Sequence, residues 1–150
     1  MLLTRRDRGM VALAIVLDVA FNSSGETVVS AAELAERTGM ARRTLEPSLQ
    51  ALSRERLLDS TRGPHGGYRL GRPARLIKVA DAIAVGLNSL EDGGLDLGGN
   101  LHRTVTEPLW GEFDAALLAL AESLTIEDLL KRAAKAGLRK PVTDPLNFVI

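Results

Sequence analysis

The segment from Thr61 to Pro73 reads TRGPHGGYRLGRP. Its glycines let the backbone bend freely and come close to a neighbour, while Arg62, Arg69 and Arg72 crowd positive charge into the same place. Such a stretch makes a poor core segment and a good partner for a polyanion. LLDSTR ahead of it, Leu57–Arg62, and YRL within it, Tyr68–Leu70, alternate apolar and polar residues weakly, as two strands would. The spacing predicts a β-hairpin with GPHGG at its tip.

Upstream, SAAELAERTG starts at Ser30. The Ser30 hydroxyl can accept from the N–H of Glu33 while the Glu33 carboxylate accepts from the N–H of Ser30, a capping box. Gly39 ends that helix after about two turns. The next run, from Met40, places Leu45, Leu49 and Leu52 on one helical face. Arg42, Arg43, Glu46, Gln50 and Ser53 fall largely on the other. A short capped helix, a glycine turn and an amphipathic helix form a helix-turn-helix pattern. Pro47 leaves two arrangements open: the helix begins near Thr44 with that threonine as its cap, or it is kinked at the proline. Before these lie a first helix from about Thr4 to Phe21, a turn at Asn22–Glu26 and an extended piece at Thr27–Val29. Arginines followed by apolar residues resemble a secretory signal, but Asp18 interrupts the run and no clear small-x-small site follows. The run is also too short to span a bilayer, so we read it as a buried helix.

Downstream, IKVADAIAVGL predicts another helix, with Ile83 and Leu87 one turn apart. Glu91–Asn100 is a glycine-rich acidic loop. Leu101, Val105, Leu109, Phe113, Leu117, Leu120 and Leu124 then recur at steps of three or four, interrupted by Pro108. Thr125 and Asp128 open a last helix, which Gly137 and Pro141 stop. The tail LNFVI alternates like a small strand. The fold class expected is mainly α with a small β-hairpin: a winged helix-turn-helix plus a long C-terminal helix. Its expected divisions are a DNA-binding unit over 1–90, a flexible loop over 91–100, dimerisation helices over 101–137 and a tail over 138–150.

Charge and composition agree with this division. Residues 1–78 carry 13 basic and 8 acidic residues, net +5, and the remainder carries 6 and 11, net −5. The first half therefore suits a polyanion. Aromatics make up 3% of the chain, so the core must be aliphatic. There is no cysteine, which excludes disulfides and thiolate-held metals and fits a cytoplasmic protein.

A helix-turn-helix followed by a basic hairpin is a winged helix. Its second helix enters the major groove, where Arg42, Arg43, Glu46 and Gln50 are placed to read base edges. The hairpin lies along the backbone, with Arg62, His65, Arg69 and Arg72 as candidate DNA contacts and Arg75 as a further phosphate neutraliser. A slim, cationic stretch is what that position needs. The leucine stripe at Leu101, Val105, Leu109, Phe113, Leu117 and Leu120 is more apolar than a lone surface helix needs, which points to a dimer interface. Trp110 and Phe113 are candidates to line an effector pocket, although large residues on an amphipathic helix are more often core.

LDVA in the first helix, ELAERTGM, LEPSLQAL, STRGPHGGYRLGR, EPLW at Glu107–Trp110 and LTIEDLL at Leu124–Leu130 together resemble the Rrf2 family of bacterial transcription regulators. The resemblance covers nearly the whole chain, and RGPxGGY is its most specific motif. It implies a homodimer whose long helix crosses to the partner. Cluster-binding members of that family carry three cysteines in the loop before the long helix, often with a histidine where this chain has Glu107. With no cysteine here, the expectation is a regulator of double-stranded DNA without an iron–sulfur cluster, with no cofactor and no metal. A small-molecule effector is then a candidate partner, and a membrane is not. The competing reading is a winged helix used for protein–protein contact, against which the basic first half argues. No Walker loop, HExxH or GxSxG occurs, so an enzyme is not expected.

Overall fold

In the computed structural model, which describes residues 6–88 and 98–141, the first apolar run folds as helix α1, Arg6–Asn22. Its Ala12, Ile15, Val16 and Val19 are fully buried. Around them gather Leu34 from α2, Ala31–Thr38, and Leu45, Leu49 and Leu52 from α3, Arg42–Arg54. Leu57, Leu58, Ile77 and Ile126 complete the same cluster. The core is aliphatic, as a chain so poor in aromatics requires.

The helix-turn-helix forms for the reasons its sequence carries. Ser30 caps α2 reciprocally with Glu33: the Ser30 N–H donates to the Glu33 carboxylate at 2.7 Å, and the Glu33 N–H donates to the Ser30 hydroxyl at 3.2 Å. Gly39 closes the helix at φ 70°, a left-handed conformation that suits glycine. α3 resolves the question posed by Pro47. The helix starts at Arg42, its N-cap Ala41 makes no side-chain bond, and Thr44 is not the cap. Pro47 lies inside the helix. Its missing N–H deprives the Arg43 carbonyl of its usual i+4 donor, and this happens on the exposed face, where water can replace the bond.

Strands β1, Leu58–Thr61, and β2, Gly67–Leu70, pair antiparallel with Asp59 opposite Arg69 and Thr61 opposite Gly67. The extended piece before α2 joins them. Val29 and Tyr68 exchange both backbone hydrogen bonds, at 2.8 and 2.7 Å. The wing root is thereby fastened to the residue that precedes the Ser30 cap. Gly67 is what permits it: a Cβ there would stand 2.6 Å from the Val29 carbonyl oxygen.

A short 3-10 turn, Ala74–Leu76, leads to α4, Val79–Asn88, which crosses α1. The long C-terminal helix is continuous past Pro108, but not uniformly α. His102–Thr106 forms a π-turn, and α5 runs from Glu107 to Ser123 with Pro108 in its first turn. The Glu107 N–H bonds to the His102 carbonyl, five residues back. The wider turn moves the preceding carbonyls off the proline ring, which a regular α-turn would bring into collision. It also suits the leucine spacing, because residues four apart drift about 40° round an α-helix with each step.

The last helix, α6, Ile126–Lys135, opens with the Thr125–Asp128 capping box and is tied back by the Ile126 N–H to the Ile77 carbonyl, 2.9 Å. Most of the acidic loop and the strand expected in the tail lie outside the described residues. Among the described residues, no helix is long and apolar enough to cross a membrane.

Candidate nucleic-acid interface

α3 divides cleanly between two environments. Leu45, Leu49 and Leu52 are fully buried, while Arg42, Arg43, Glu46 and Gln50 are exposed. Among the described residues none of Arg42, Arg43 or Glu46 is held in an ion pair. Their hydrogen-bonding groups are free to meet another molecule. The polar face thus offers two guanidiniums, a carboxylate and an amide along one helix side, a donor and acceptor set suited to base edges and phosphates.

The wing supplies a second cationic edge. Its tip turns through Gly63–Gly66, closed by the Gly66 N–H on the Gly63 carbonyl at 3.0 Å, with Pro64 and His65 at the apex. Arg62 and His65 are exposed there. Arg62 and Arg69, alike in sequence, differ in structure. Arg69 reaches across the strand pair to Asp59, with Nη2 and Nε at 3.0 and 3.2 Å from Oδ2. Arg62 has no ion-pair partner among the described residues. Arg72 and Arg75 are exposed just beyond β2. The Val29–Tyr68 bonding fixes the wing against the entry to α2, so both edges belong to one packed unit.

Arg54 was missed by the sequence reading. It lies one turn beyond Gln50 on α3 and borders a cleft of about 620 Å³ together with Gln50 and Arg72. The spacing of four from Gln50 is the signal that could have found it.

Trp110 and Phe113 are the residues expected to line an effector pocket. Their rings meet edge to face at 5.7 Å, and both are exposed in the single chain. A separate apolar cleft between α4 and α5, about 210 Å³, is lined by Ile83, Leu87, Ala115 and Leu118 among others. Trp110 and Phe113 stand outside it because they project from another side of the helix. They join the stripe, which is uncovered in the single chain: exposure runs from 39% at Leu117 to 77% at Leu101.

Comparison with known proteins converges on one group. The Rrf2 family model, described as an iron-dependent transcriptional regulator, matches residues 5–132. The HTH-type transcriptional regulator IscR of Xenorhabdus nematophila is 34% identical over 128 residues, spanning 83% of this chain and 77% of that protein. IscR of Cereibacter sphaeroides is 30% identical over 131 residues, spanning 83% and 84%. Among solved structures, T. potens IscR superposes with a TM-score of 0.64 at 31% identity, covering 92% of this chain and 91% of that one. CymR, the global cysteine regulator of B. subtilis, gives 0.65 at 27% identity, covering 83% and 94%.

Proposed function

Because this chain belongs to the Rrf2 family of DNA-binding transcriptional regulators, we propose that it acts as a homodimer that reads a two-part operator and carries no iron–sulfur cluster. The observation that carries the DNA-reading surface is the exposed, unpaired polar face of α3 beside the cationic wing. Arg43 and Glu46 are the base-reading residues, arginine to guanine and glutamate accepting from the cytosine amino group. Arg62 and Arg72 neutralise phosphates.

The uncovered stripe from Leu101 to Leu120 supports the dimer, since soluble monomers rarely leave so long an apolar face in water. Two copies joined along it would present two α3 helices to successive major grooves, about 34 Å apart.

An iron–sulfur cluster does not fit the residues present. The chain contains no cysteine, and the described residues hold no group of three or more His, Cys, Asp or Glu side chains able to bind a metal. Imidazole and carboxylate alone are poor substitutes for thiolate on a cluster. Control then falls to an effector, a partner or the amount of protein.

The test is selection from a random duplex library, followed by anisotropy titration at several salt concentrations. One enriched two-part sequence, with affinity falling steeply as salt rises, is the expected result. Salt-insensitive binding, or no enrichment, would overturn the DNA-reading assignment. Protein purified without oxygen should be colourless, and a charge-transfer spectrum with stoichiometric iron and sulfide would overturn the cluster-free assignment.

A further inference from the structure

The cleft of about 620 Å³ beside Arg54 lies between the C-terminal half of α3, the exit of the wing and α4. Its volume is in the range of small-molecule sites, about 300–1,000 Å³. Four charged side chains border it: Arg54, Arg72, Glu55 and Asp81. They do not neutralise one another. Among the described residues no carboxylate lies within ion-pair distance of Arg54 or Arg72. Asp81 uses one oxygen to accept from the Lys78 N–H at 2.9 Å. Ala51, Leu57 and Val85 add an apolar wall.

Charges of both signs bordering one cavity select their ligand. A ligand of one sign would be attracted by two of them and repelled by the other two. A ligand carrying both signs on one small frame satisfies both halves. We infer that this cleft binds a free α-amino acid. Its carboxylate goes to Arg54 and Arg72, its ammonium to Glu55 and Asp81, and its side chain to the apolar wall.

The site is positioned to regulate. Gln50 and Arg72 border the cleft and also belong to the proposed DNA surface, so this regulatory role rests on that reading. An amino acid that engages Arg72 withdraws it from DNA. Bound amino acid therefore weakens DNA binding, and DNA weakens amino-acid binding by the same factor.

The experiment has two arms, both on the full chain. In the first, each of the twenty common L-amino acids is offered at millimolar concentration to DNA-free protein, and binding is read by saturation-transfer NMR. At least one should bind, its N-acetyl and methyl-ester derivatives should not, and Arg54→Ala or Asp81→Asn should weaken it at least tenfold while helical circular dichroism is unchanged. If either variant unfolds, Glu55→Gln replaces it with the same expectation. Absence of binding by all twenty, equal binding of the derivatives, or survival of binding in the folded variants would overturn the site. In the second arm, the amino acid that binds is titrated into protein on a fluorescent duplex. Loss of anisotropy is expected, and unchanged DNA affinity would overturn the regulatory role. Failure of the protein to bind duplex at all would count against the DNA-reading assignment alone, because the first arm contains no DNA.

Discussion

The guanidinium of Arg37 grips the carboxylate of Asp18 in two parallel hydrogen bonds, Nε to Oδ2 at 2.9 Å and Nη2 to Oδ1 at 2.8 Å. The pair ties the last turn of α2 to α1 and explains why an acidic residue interrupts the first apolar run. Asp18 is well covered, its side chain 15% exposed. Bidentate geometry is stronger than a point contact, but the Arg37 side is open to water, which reduces its worth. Asp18→Ala should cost about 1–2 kcal/mol, read as a lower midpoint in urea. Arg37→Lys, which keeps the charge but not the fork, should recover less than half of that loss.

Acid should weaken the molecule through its two capping boxes. The Ser30 N–H, then the Ser30 hydroxyl, holds the Glu33 carboxyl below its usual 4.5, and the Thr125 N–H, then its hydroxyl, does the same for Asp128 below 3.8. A carboxyl with a lowered folded-state value stabilises fully above its unfolded value and loses that contribution as pH falls through the folded one. Stability should therefore decline as pH drops below about 4.5. The double variant Glu33→Gln, Asp128→Asn should show a shallower decline in denaturation midpoints measured from pH 6 to pH 3.

The two wing arginines should behave differently. Arg62→Ala should weaken binding to all duplexes and reduce the salt slope by about one unit. Arg69→Ala should do less, because its charge is already engaged by Asp59. Asp59→Ala should raise nonspecific affinity by freeing Arg69. Equal losses from Arg62→Ala and Arg69→Ala would mean that the Asp59 pair opens on DNA.

Arg56, just past the end of α3, is at φ 57°, a left-handed conformation that costs a residue with a Cβ about 1–2 kcal/mol. Arg56→Gly should raise stability by roughly 1 kcal/mol. A midpoint unchanged or lowered would show that the side chain compensates for the strain.

Leu117→Glu places a charge in the middle of the exposed stripe. Sedimentation should find monomers, and DNA affinity should drop by at least tenfold, since a monomer engages a single half-site. An intact dimer would count against the stripe as its interface.

How far the sequence carried these conclusions depends on the range of each interaction. Ser30–Glu33, Gly39 and Thr125–Asp128 act over three or four residues, and they formed as their motifs predict. The Asp59–Arg69 pair was within reach once the hairpin was read, because strand register alone sets them opposite. The course of α3 through Pro47 was not legible. It depends on Leu45, Leu49 and Leu52 burying together across the proline, a tertiary gain that outweighs one lost backbone bond. The exposure of Trp110 and Phe113 was hidden for the opposite reason: periodicity reports that a face is apolar, and is silent on what covers it. The mixed-sign cleft was invisible because its walls come from α3, the wing exit and α4, far apart in the chain.

The π-turn at His102–Thr106 makes residue number, and not just residue identity, a constraint on this protein. Removing one residue there would let the backbone return to a regular α-turn. The segment before it would keep nearly the same phase about the helix axis, because the π-turn takes up one extra residue within a single turn. The Pro108 ring would meet the carbonyl it now avoids, at a cost of about 3 kcal/mol. Related chains that keep the proline but vary in loop length should therefore absorb insertions and deletions upstream of residue 100, leaving the count from there to Pro108 untouched.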